Sequence, residues 1–143
     1  MASSSRLMTT TICQLKWAIG ENIDKAEGPD LQNSDEYEVH WLRIENVYAH
    51  ACAGWAIDLS NCTPRQERNV ERIEEHIQAG GWLDPSEVRR ITEEGCIRFE
   101  GRHRLVVALK MGDTYAPFSI RKEHIEQLRT LLNEKNNNGK TNR

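Results

Sequence analysis

Between Thr63 and Leu132 the apolar residues change their spacing at short intervals, and glycine or proline marks nearly every change. Thr63-Pro64 sets a capping side chain before a proline suited to a first helical position. Val70, Ile73 and Ile77 then share one face until Gly80-Gly81. The pattern predicts a helix over 65–79, a strand over 86–92, a turn at Glu93-Glu94-Gly95 and a returning strand over 96–99. A helix over 102–111 closed by Gly112, a strand over 115–120 and a helix over 122–132 complete it. Pro117 places the last strand at a sheet edge or a strand end. Short strands alternating with short helices predict an α/β (α+β) domain, a small mixed sheet flanked by helices.

The first half is less sharply punctuated. Residues 11–19 read as a first strand, Gly28-Pro29-Asp30 and Asn33-Ser34-Asp35 as loop. The segment 38–48 (Val39, Trp41, Leu42, Ile44, Val47) is open between strand and helix, because both periods fit it. Trp55 to Leu59 reads as a short strand ended by Ser60-Asn61-Cys62-Thr63-Pro64. With 143 residues there is room for one well-cored domain, expected over 11–132. Residues 20–50 would be an acidic N-terminal elaboration, with disordered polar ends at 1–10 and 133–143. No apolar run approaches the roughly 18–20 residues needed to cross a bilayer, and the N-terminus has no apolar signal core. The expectation is a soluble cytoplasmic protein with no membrane partner.

The net charge of −3 argues against a chain that coats nucleic acid indiscriminately. The charge is uneven, however. Residues 20–40 hold seven acids against Lys25, whereas 86–110 hold six bases against four acids. Any anion site therefore belongs in the second half. Cys13, Cys52, Cys62 and Cys96 are scattered without a C-x-x-C, and the five histidines form no zinc-type pair. His50, Cys52 and Cys62 can be drawn as a metal site, but such a scatter is ordinarily buried thiols and surface imidazoles. No zinc and no disulfide is expected.

Chemistry concentrates where the strand over 96–99 runs through Glu100 into Gly101-Arg102-His103-Arg104 and a helix. Glycine permits a sharp turn and close approach. The first helical turn carries N–H groups without internal partners and partial positive charge. Arginines are electrostatically misplaced there unless an anion such as phosphate offsets them. The alternative is that Arg102 and Arg104 pair with Glu93, Glu94 or Glu100 across the hairpin.

This stretch resembles the ParB/sulfiredoxin superfamily. The resemblance covers roughly 55–120: the segment Thr63-Pro64-Arg65-Gln66-Glu67-Arg68 and its helix, the hairpin, the Gly-x-x-Arg box at 101–104, and the strand with Pro117-Phe118-Ser119-Ile120. It implies a phosphate site for a nucleoside triphosphate, CTP as in partition proteins or ATP as in sulfiredoxins, with Mg²⁺ as a candidate companion. Gly101, Arg102, His103 and Arg104 would form the site, with Arg104 the matched arginine, and Arg65 and Arg68 would close over it. Where sulfiredoxins carry their catalytic cysteine this chain has Arg102. Without that thiolate a sulfiredoxin-type reductase is not expected. Partition proteins continue into DNA-binding and dimerisation domains, so a complete partition protein is not expected.

Three functions fit. One is a stand-alone module of phage or plasmid type that binds a nucleotide or nucleic-acid phosphate. Another is an interaction protein whose acidic 20–40 region mimics DNA or engages a basic host protein. The third is a metal-dependent nuclease or nucleotide hydrolase, with Asp58, Glu100 and His103 as candidate catalytic groups. The residues leave the oligomeric state open.

Overall fold

Four strands form one mixed sheet: β1 (Tyr37–Arg43), β2 (Ser86–Ile91), β3 (Ile97–Glu100) and β4 (Tyr115–Arg121). Their order is β1-β4-β2-β3, with β4 antiparallel to β1 and parallel to β2, and β2 antiparallel to β3. The structure, a computed structural model, describes residues 15–26 and 35–141. Helices α1 (Ile44–Ala49), α2 (Pro64–Gln78), α3 (Arg102–Lys110) and α4 (Lys122–Thr141) flank the sheet. It is the small α+β fold that the alternating pattern predicts.

Register builds the core. Phe118 pairs with Ser86, and Ile120 lies beside Val88, which in turn opposes Phe99. This row of side chains is buried, and Phe99 meets Phe118 edge-on at 6.5 Å. Within α3, Leu105, Val106, Val107 and Ala108 are all buried, so the middle of this short helix has no wet face. Burying each of its valines and its leucine contributes roughly 1.5–3 kcal/mol. The helix packs chiefly against α2. Thr63 Oγ1 accepts from the Gln66 N–H at 3.1 Å while Gln66 Oε1 accepts from the Thr63 N–H at 2.9 Å. This reciprocal cap fixes where α2 begins.

Several expectations are corrected. The strand expected at Trp55–Leu59 is a turn followed by a 3-10 turn at Leu59–Asn61, because its polar groups are satisfied locally. The Trp55 N–H donates to Cys52 O at 2.8 Å, and Asp58 caps Ser60. Of the strand expected over 11–19, residues 11–14 lie outside the described residues. The remainder makes only one bridge, Trp17 to Leu83. The strand with Pro117 is neither at an edge nor ending there, since β4 pairs with β1 on one side and β2 on the other. The parallel ladder with β2 starts at Phe118, so the missing proline N–H precedes it.

Within 20–50, β1 is an outer strand of the sheet, and Ile44 and Val47 of α1 are core residues. The ambiguous 38–48 segment is both things in turn, strand to Arg43 and helix from Ile44. Helix α4 continues past Leu132 to Thr141. No helix among the described residues is long and apolar enough to cross a membrane.

Candidate functional site

The chain leaves β3 at Glu100 and enters α3 through Gly101, whose φ of 89° and ψ of 27° are left-handed. A side chain there would also collide, since a Cβ would lie 2.7 Å from Ser86 Oγ and 2.8 Å from Arg104 Nη2. Glycine is required on both counts. Ser86 Oγ donates to Gly101 O at 3.3 Å, tying the turn to β2. Gly101 has no side chain to cap α3, so the first-turn N–H groups keep their positive potential without a side-chain acceptor.

The three residues that follow have different tasks. Arg102 Nη1 donates to the carbonyls of Gly54 and Trp55, both at 3.4 Å, and its guanidinium lies 5.4 Å from the Trp55 ring centre. Arg98 of β3 lies over the same ring at 5.6 Å. The indole is fixed in turn by its Nε1–H, which donates to Phe99 O at 2.6 Å. One tryptophan thus organises two guanidinium groups beside the helix start.

His103 Nε2 lies 3.4 Å from Asn69 Nδ2 on α2. Asn69 Oδ1 accepts from Arg72 at 3.3 Å, which leaves the amide nitrogen to donate to His103. Accepting that bond at Nε2 requires a neutral imidazole with its proton on Nδ1. Partial burial, and then the Arg102 charge, hold its pKa below the usual histidine range, in the same sense.

Arg104 turns inward. Its Nη1 donates to Asp84 O at 2.7 Å and Pro85 O at 3.2 Å, bracing the chain just before β2. Burial lowers its pKa, opposed by the charges of Asp84, Glu100 and Glu87. Arg104 is thus engaged with backbone carbonyls, rather than paired directly with Glu93, Glu94 or Glu100.

The structure does not bring the remaining candidates together. Arg65 and Arg68 are exposed on the first two turns of α2 and make no hydrogen bond or ion pair with the box. Asp58 accepts from Ser60 N at 2.9 Å and Ser60 Oγ at 2.7 Å. These bonds lower its pKa and make it a cap for the 3-10 turn. Glu100 is exposed at the end of β3, opposite Glu87. Among the described residues no three of His, Cys, Asp and Glu converge as metal ligands, Asp58, Glu100 and His103 included. Cys52 and Cys96 are free thiols, and Cys62 Sγ donates to Asp58 O at 3.5 Å.

Sequence reasoning missed Trp55, Asn69, Arg72 and Arg98. Arg72 carries a readable signal, falling on α2 at positions four and seven after Arg68 and Arg65. Trp55 carries none, because a loop tryptophan 44 residues from Phe99 has no local pattern. The chain matches no protein-family model, and no curated protein or solved structure is significantly similar to it.

Proposed function

We propose that this protein binds a phosphate-bearing ligand, a nucleotide or nucleic-acid phosphate, at the start of α3, in an intracellular, DNA-linked role. The observation that carries the reading is the pairing of an N-terminus lacking a side-chain cap, behind an obligatory glycine, with Arg102 held beside it by Trp55. A phosphate there would accept from the free N–H groups of the first turn and from a guanidinium whose orientation is already set. Neutral His103 supplies an Nδ1–H donor. Arg104 shapes the site from behind through Asp84 and Pro85. Mg²⁺, where present, would arrive with a triphosphate.

The acidic-mimic reading is weaker, because Glu36 pairs with Arg121 at 3.1 Å and Glu38 with His40 at 2.9 Å. The test is a thermal-shift titration with ATP and CTP, with and without Mg²⁺. A ligand at 100 times its Kd stabilises by about 2.7 kcal/mol. Arg102→Ala is expected to weaken binding roughly 10- to 150-fold, the equivalent of a lost charged hydrogen bond of about 1.5–3 kcal/mol. No shift with either nucleotide or with an oligonucleotide would overturn the reading.

A further inference from the structure

Helix α2 segregates its charge. At about 100° per residue, Val70, Ile73 and Ile77 point to the core. Glu67, Glu71 and Glu74 fall together on one side of that stripe, where they line a groove with Lys110. Arg65 and Arg72 fall on the other side, next to Asn69, which reaches His103, and Arg68 lies with Glu75 on the outer face between the two sides. The arginine side continues across the fold. His103 adjoins Arg102, Arg102 shares Trp55 with Arg98, and Arg98 stands directly opposite Arg90 in the β2–β3 hairpin. Two arginines facing each other across a hairpin repel unless an anion sits between or over them.

Pairing follows the same division. Arg43, Arg89, Arg121, Arg129 and Lys110 each have a carboxylate within 4 Å. None of the six arginines of this surface has a carboxylate partner among the described residues. From Arg65 to Arg72 the strip runs about 10 Å along the helix, at 1.5 Å per residue. Along a duplex axis each strand presents a phosphate roughly every 3.4 Å, so the strip spans about three such steps. A mononucleotide at the start of α3 would leave most of it unused.

We propose that this arginine surface is a track for a run of phosphodiesters, so that the ligand is a nucleic-acid strand rather than a free nucleotide. The inference rests on the phosphate reading above and extends it from one anion to several. Arg102 marks the point where the track meets the helix terminus, and Arg65, Arg68 and Arg72 carry the neighbouring phosphates. The acidic side of α2 faces away from the track and repels a strand laid in the wrong orientation.

The test uses the full chain and a fluorescently labelled 15-nucleotide probe, read by anisotropy, as single-stranded DNA, the same sequence in RNA, and the duplex. The tightest of the three is expected to bind at least tenfold more tightly than CTP in the same buffer. Its log affinity should fall with log salt at a slope of about −2 to −4. The variant Arg65→Ala/Arg68→Ala, exposed at both sites, should retain the wild-type melting temperature and the CTP thermal shift while losing at least tenfold in probe affinity. Glu67→Ala/Glu71→Ala should bind the probe no more weakly than wild type, and Arg102→Ala should weaken both ligands. Wild-type probe affinity in the Arg65/Arg68 variant, or a probe no tighter than CTP, would refute the track and leave the phosphate reading standing. Failure of both ligands to bind would remove the two together.

Discussion

Arg104→Ala separates a structural arginine from a ligand-binding one. The wild-type guanidinium bridges two carbonyls, with a short bond to Asp84 O at 2.7 Å and a longer one to Pro85 O at 3.2 Å. Truncation removes the Arg104 donor from both carbonyls, in a place where Pro85 and Ser86 are buried. A bond from a charged donor is worth about 1.5–3 kcal/mol, and the longer one counts for less. The aliphatic stem is lost as well. A destabilisation of about 2–4 kcal/mol follows, which for a domain of this size lowers Tm by roughly 10 °C. Arg104→Lys keeps the charge but not the fork, and should recover only part of the loss. Urea denaturation followed by tryptophan fluorescence gives the free energy, and nucleotide titration at a temperature where the variant is folded gives the affinity. A variant within 0.5 kcal/mol of wild type that had nonetheless lost nucleotide binding would refute the bracing role and return Arg104 to the ligand.

Three further outcomes follow from the same geometry. Gly101→Ala should cost about 2–4 kcal/mol, from left-handed strain and from a Cβ placed 2.7 Å from Ser86 Oγ, measured by the same denaturation. Tyr48 carries a buried hydroxyl without a partner, and burial pushes its pKa up to about 12 despite Arg102 nearby. Tyr48→Phe should therefore leave stability at neutral pH unchanged or raised. The raised pKa also means that stability is lost as pH climbs from about 10 toward 12, a loss that ultraviolet-monitored unfolding should find absent in the variant. His103 has a lowered pKa, so the folded state favours the neutral ring. Its contribution is complete above the ordinary histidine range and is lost as pH falls through that range and below. His103→Gln should flatten the fall of Tm between pH 7 and 5.

Legibility followed the range of the forces involved. Helix α2 was readable because its start depends on Thr63, Pro64 and Gln66 and its stop on Gly80, all within one segment. The hairpin was equally local: the Gly95 N–H donates to Thr92 O at 3.0 Å and the Thr92 N–H to Cys96 O at 2.8 Å. Trp55 to Leu59 misled because an apolar run was taken to need a ladder, whereas Trp55 and Asp58 satisfy the backbone with turns and a cap. Pro117 misled because only the register with β2, set by tertiary packing, tells where the parallel ladder begins. The Gly101–Arg104 box was visible as a place. The division of labour within it was not, since the partners of Arg102 and Arg104 lie 47 and 20 residues away.

The most direct test of the phosphate site is a ¹⁵N-resolved amide spectrum of the full chain titrated with CTP and with the 15-nucleotide probe. The backbone amides of Arg102, His103 and Arg104 should move first and furthest, together with the Trp55 indole N–H. Arg102→Ala should abolish those shifts at matched ligand concentration while leaving the remaining spectrum folded. Shifts confined to other elements, with the amides of 102–104 unmoved at saturation, would contradict the account.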